Sequence, residues 1–168
     1  MELNTRPDDD ECREALVIGV GNEFRRDDGV GPIVAERLGA MSLEGVRVCL
    51  QSGEGASLME SWSGVDAVVI IDAARSSSKP GTIHRFEAGD TQIPSEFFHY
   101  STHAFSVAEA VELARALGRL PKRLILYGIE GGDFSTGRGL SDEVERASTQ
   151  VVELIREDLK HYCRQLPA

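Results

Sequence analysis

Three short runs of unbroken apolar residues constrain this chain most: one at 15–18 leading into Gly19, Val20 and Gly21, one at 67–71, and one at 124–129. A strand that is apolar on consecutive positions needs cover on both faces, which belongs to the middle of a parallel sheet with helices on either side. Between the runs lie helical patterns. Pro32 sits near the first turn of one over 29–41, where its missing N–H costs little. A helix from 102 to about 117 is expected behind an N-cap at Thr102, with Gly118 and Pro121 stopping it. Ser141 is expected to cap a long final helix with Asp142 and Glu143 in its first turn. Residues 46–50 read as a second strand, followed by a turn with two glycines and a short helix over 56–63 in which Trp62 is a core anchor. Residues 82–87 alternate and read as a half-buried edge strand, with His84 on its surface. The expected fold is a three-layer α/β/α sandwich around a mostly parallel five-stranded sheet with one antiparallel edge strand, of the phosphorylase/hydrolase-like kind. A flexible acidic tail over 1–13 precedes a single domain over 14–168, which suits a chain of 168 residues.

Composition removes several classes of function. A net charge of −10 argues against a nucleic-acid or anionic-membrane partner, since both bind through basic patches. No apolar run is long enough to span a bilayer, and the first residues lack the basic start and apolar centre of a signal peptide, so a cytoplasmic protein is expected. Cys12, Cys49 and Cys163 are far apart and read as free thiols. A Gly-x-Gly after the first strand invites a dinucleotide site, but the third glycine is missing: Phe24 stands in its place, and two carboxylates precede the helix. No Gly-x-Ser-x-Gly elbow and no His-Glu-x-x-His is present.

The usable crevice of such a sheet lies outside the carboxyl ends of its strands. Asp28 follows the first strand, Asp72 ends the third, and His103 opens a helix at the same edge. Two carboxylates and one imidazole suit a divalent transition ion such as Ni²⁺, Zn²⁺ or Co²⁺ with coordination positions left open. Each has a plainer reading as well: Asp28 as a helix cap, Asp72 as an acceptor for the 76–78 loop, His103 as a helix-start residue. Asp27 and Glu23 read as solvated loop charges, and the cluster of Phe97, Phe98 and Tyr100 as a lid or a packing plug.

The segments Gly19-Val20-Gly21-Asn22 and Asp27-Asp28-Gly29-Val30-Gly31, then Ile71-Asp72-Ala73, then Ser101-Thr102-His103, resemble the nickel–iron hydrogenase maturation endopeptidases over residues 15–159. The resemblance implies an endopeptidase that removes a short C-terminal extension from the nickel-loaded precursor of the hydrogenase large subunit. Asp28, Asp72 and His103 would be its catalytic and metal-contacting residues, and the nickel would arrive with the substrate. Many members carry Asp-Gly-Gly-Thr after the second strand, whereas this chain has Gln51-Ser52-Gly53-Glu54, which implies a different hydrogenase as partner and makes Gly53 and Glu54 candidates for substrate contact. A monomer is expected. The alternatives left open are a non-catalytic docking protein or chaperone for the immature large subunit, using the same three residues, and a nucleotide-dependent enzyme.

Overall fold

The computed structural model describes residues 14–53, 55–89, 91–97 and 106–162. Five strands, β1 (Ala15–Val20), β2 (Val46–Gln51), β3 (Ala67–Ala74), β4 (Ile83–Glu87) and β5 (Arg123–Glu130), form one sheet in the order β2-β1-β3-β5-β4. β1, β2, β3 and β5 are parallel, and β4 pairs antiparallel to β5 at the edge. The direction of β4 follows from chain length. Only residues 75–82 separate it from β3, too few for a crossover, so the chain turns at Gly81 and runs back. Gly81 donates to the Glu130 carbonyl at 2.8 Å, which fixes where the return begins.

Helices α1 (Val30–Ala40) and α4 (Asp142–Lys160) cover one face, packing on Val17, Val69, Ile71, Ile125 and Ile129. Helices α2 (Gly55–Ser61) and α3 (Val107–Ala116) cover the other, packing on Leu16, Ile18, Val68, Ile70 and Leu126. The unbroken apolar runs are thus split residue by residue between two cores, as strands covered on both faces require. Trp62 is 2% exposed in the second core, the anchor expected of it.

The start of α3 differs from expectation. Its N-cap is Ser106, whose hydroxyl accepts from the Glu109 N–H while the Glu109 carboxylate accepts from the Ser106 N–H, a complete capping box. The helix therefore starts at Val107; Thr102 lies outside the described residues, as do Phe98, Tyr100, Cys12, Cys163 and the tail over 1–13. Phe97 is a packing plug, its ring edge-on to His84 and Phe86. His84 is accordingly no surface residue: its side chain is 15% exposed.

On the α4 side a polar clamp ties the last helix to the sheet. Asp158 accepts from Arg85 Nε at 3.1 Å and Nη2 at 2.9 Å, and from the Tyr127 hydroxyl at 2.5 Å. Burial pushes the Asp158 carboxyl up, but the hydrogen bonds from Arg85 and Tyr127 with the charges of Arg85 and Arg123 outweigh it and hold the group below the usual carboxylate range. A lowered folded-state pKa means stability that is present above the unfolded value near 4 and is lost as pH falls through the folded one. Asp158→Asn is therefore expected to cost about 1 kcal/mol at pH 7, a figure discounted for the partly exposed arginine, and almost nothing at pH 2. Urea midpoints of both proteins at the two pH values measure the difference.

Candidate active site

From β1 the chain passes to β2 on one side of the sheet and then to β3 on the other, so the strands diverge between β1 and β3. Such a switch point opens a crevice at the carboxyl ends. β1 stops at Val20 while β3 runs on to Ala74, leaving Asp72 beyond the last β1 partner, Gly19↔Ile71, yet still paired with Gly128 of β5. Asp72 is thus inside β3, not at its end, and is exposed toward the crevice because its neighbour has ended. Alternation along β3 puts it on the α2/α3 face.

Two glycines let the first helix descend onto this edge. A Cβ on Gly31 would lie 2.2 Å from the Val20 carbonyl oxygen and 2.5 Å from that of Ile71, so α1 can start against the strands only without one. Gly21 has φ +140°, and a Cβ there would meet the Asp28 carbonyl oxygen at 2.0 Å. The Gly-x-Gly thus serves backbone packing rather than a phosphate. It lets a single 3₁₀ turn, Arg26–Gly29, carry Asp28 over the strand ends, where the Asn22 N–H donates to Asp28 Oδ2 at 3.0 Å.

The resulting cleft has a volume of about 430 Å³, and Asn22, Asp28, Gln51, Gly53, Asp72 and Arg75 are among its lining residues. Burial pushes the Asp28 carboxyl above its ordinary range, partly offset by the Asn22 hydrogen bond and the Arg25 charge. Asp72 is raised further, first by burial and then by the charge of Asp28, with the Ala73 N–H opposing. A buried carboxylate whose ionisation is opposed further by a second carboxylate would be relieved by a cation beside it, and hard oxygen donors suit a divalent one. Among the described residues no three His, Cys, Asp or Glu side chains surround one point, so the two aspartates would be the donors that the described part of the cleft offers a metal. His103 and Glu54 lie outside the described residues. Gly53 is described: it is buried, has φ +97° and lines the cleft.

The neighbouring acid, Asp27, is not the solvated charge expected from the sequence. It is 0% exposed and accepts from the N–H groups of Gly132 (2.8 Å), Asp133 (2.9 Å) and Ser141 (2.8 Å) and from the Ser141 hydroxyl (2.9 Å). Ser141 holds the N-cap position of α4, but its side chain serves Asp27 instead of the helix. The backbone continues the seam: Arg26 N–H donates to Gly137, Gly137 N–H to Phe24, and Asp27 N–H to Asp133, each at 2.9 Å. The loop that presents Asp28 is therefore fastened to the 132–141 loop along its length. Glu23, by contrast, is an exposed loop charge, 3.6 Å from Arg138.

A second buried acid supports the far wall. Glu130 is 1% exposed and accepts from the Ser76 N–H (2.6 Å) and hydroxyl (3.0 Å), so the serine loop expected to satisfy Asp72 satisfies Glu130. This fixes the segment that follows β3, and with it Arg75, whose guanidinium stands 5.3 Å from the centre of the Phe134 ring. Arg75 and Phe134 escape a reading by pattern because both sit on loops without periodicity. Asn22 had a signal, as a turn-forming residue directly after the Gly-x-Gly.

A family model described as hydrogenase maturation protease matches residues 33–158, which includes Asp72 and His103 and starts after Asp28. The hydrogenase expression/formation protein HupD of Thiocapsa roseopersicina is 29% identical over 154 residues, covering 89% of this chain and 69% of the relative. The hydrogenase 2 maturation protease of Escherichia coli is 29% identical over 150 residues, 84% of this chain and 90% of its own length. Among solved structures, the [NiFe] hydrogenase maturation protease HybD of Thermococcus kodakarensis superposes with a TM-score of 0.67 at 25% identity, covering 86% of this chain and 97% of that one. A sheet of this order with a crevice at its switch point, and a family model spanning most of it, place the chain among the hydrogenase maturation proteases.

Proposed function

We propose that this hydrogenase maturation protease cuts a C-terminal extension from the nickel-loaded precursor of a nickel–iron hydrogenase large subunit, reading the substrate's own nickel through Asp28, Asp72 and His103. The observation that carries the reading is that the crevice at the switch point is lined by both Asp28 and Asp72, each raised by burial and Asp72 further by the charge of Asp28. A divalent ion held by the substrate completes what the two carboxylates lack, a positive charge between them. Docking on the nickel places the scissile peptide in the cleft. One carboxylate then takes the proton of the water that attacks the scissile carbonyl, and the departing amine takes a proton as the C–N bond breaks. Since an empty precursor brings no cation, cleavage reports that nickel insertion is finished. The chain acts as a monomer in the cytoplasm, with 14–168 as one working domain; among the described residues no helix is long and apolar enough to cross a membrane.

The test is mass spectrometry of a large-subunit precursor from the same organism, nickel-loaded and nickel-free, after incubation with the protein. Loss of a defined C-terminal peptide from the loaded form alone is the expected result. Cleavage of both forms would remove nickel from the recognition step. Binding without a cut would make the chain a docking protein.

A further inference from the structure

The cleft that holds the two aspartates has an apolar rim that its chemistry does not require. Phe24 is 53% exposed and Leu50 49% exposed, and both line the same cleft as Asp28 and Asp72. They stand on different walls: Phe24 on the loop between β1 and the 3₁₀ turn, Leu50 near the carboxyl end of the edge strand β2. Phe24 is not loosely hung. Its N–H donates to Asn22 Oδ1 at 2.9 Å, its carbonyl accepts from Gly137 at 2.9 Å, and the Arg138 guanidinium lies 4.5 Å from the ring centre. Arg138 also pairs with Glu23 at 3.6 Å, so the ring's neighbour is itself held.

An aromatic ring left half exposed gains the fold little beyond its contact with Arg138, while holding it in place spares a partner the cost of ordering it; pre-set aromatic anchors are where binding energy concentrates. We propose that Phe24 and Leu50 are the specificity grip of this protease. They take apolar side chains of the large-subunit precursor on the residues that flank the scissile bond. The occupant follows from continuity: an extended peptide lying past Asp28 and Asp72 passes the ring on one wall and the leucine on the other, because the cleft is one space. The proposal rests on the function proposed above.

The experiment measures precursor processing against precursor concentration for the wild-type chain and for Phe24→Ser, Leu50→Ser, Phe24→Leu and Leu117→Ser. Leu117 is 56% exposed at the end of α3 and is not part of the cleft lining, so it controls for loss of any exposed leucine. Binding energy shared by ground and transition states appears in KM alone. Phe24→Ser and Leu50→Ser are expected to raise KM about tenfold with little change at saturation, Phe24→Leu to recover most of the loss, and Leu117→Ser to match wild type. A KM for Phe24→Ser equal to that of Leu117→Ser would overturn the proposal, as would a wild-type dimer in sedimentation that Phe24→Ser dissociates, since the occupant would then be a second copy. Affinity for the same precursor is measured alongside by biolayer interferometry. Wild-type binding without cleavage would sink the protease reading alone and leave the affinity ratio of wild type to Phe24→Ser to decide this one. No wild-type binding at all would overturn both.

Discussion

Asp72→Asn is expected to abolish processing of the precursor and, in the same protein, to raise the melting temperature. The loss of activity follows from removing one of two carboxylates that face the crevice, with a rate falling by roughly a thousandfold or more if the group both recognises the ion and takes a proton. The gain in stability has a separate cause. Burial and the charge of Asp28 raise the Asp72 carboxyl well above its ordinary range, so its ionised form weighs against the folded state at neutral pH. Sign and direction agree: a carboxyl raised on folding costs stability as pH climbs from the unfolded value toward the folded one, and an amide of the same shape carries no such cost. A rise of roughly 2–4 °C corresponds to about 1 kcal/mol in a chain of this size. Differential scanning fluorimetry at pH 7 and at pH 4 checks it, with the advantage of the asparagine variant shrinking at the lower pH. A variant that is inactive and less stable than wild type would mean that Asp72 supports the fold, and the site would have to be sought elsewhere in the cleft.

Asp27→Asn is expected to do the reverse, damaging the fold first and activity only through it. Both oxygens of Asp27 accept, one from the Ser141 N–H and the other from Gly132, Asp133 and the Ser141 hydroxyl. An amide has one acceptor and one donor, so in either orientation its NH₂ points at a backbone N–H inside the protein. Losing charge-assisted bonds and leaving a buried donor unpaired is worth about 2–4 kcal/mol, or roughly 5–15 °C in melting temperature. Asp27→Glu offers no escape. The side chain is fully buried, and an added methylene would push the carboxylate past the four donors that its oxygens now accept from. Urea unfolding should show a lower midpoint with an unchanged slope. Processing by this variant should approach the wild-type rate at low temperature, where it is folded, which distinguishes a positioning residue from one that meets the substrate.

The fold was legible because its strands are written plainly. Runs such as 67–71 leave no polar face, and the 3.6-residue stripe of α1 lies between two of them while that of α4 follows the last. The site was half legible. Asp28 and Asp72 follow from where strands end, but nothing local separates Asp28 from Asp27: they are identical neighbours, and which one turns inward is decided by N–H groups more than a hundred positions away in the 132–141 loop. His84 departs from its expected exposure for a similar reason. Alternation identified a half-buried strand, while the cover on its imidazole comes from Phe97 in a loop that carries no period. The start of α3 could have been read correctly. Ser106 followed three residues later by Glu109 is a capping box in plain sight, set just after a threonine that looked as good.

The seam between the 22–28 and 132–141 loops also bears on how such a protease could change clients. One side of the cleft is welded: an insertion near Asp133 or Gly137 would drag Asp28 with it and misplace the chemistry. The opposite side, formed by the end of the edge strand β2 and the turn through Gly53, contributes Leu50, Gln51 and Gly53 to the cleft and neither aspartate. New clients can be accommodated there by exchanging a few residues, with the cutting edge left untouched. Directed evolution toward another precursor should therefore accept substitutions at 50–52 and reject those at Gly53, whose φ of +97° suits glycine, and around 132–141.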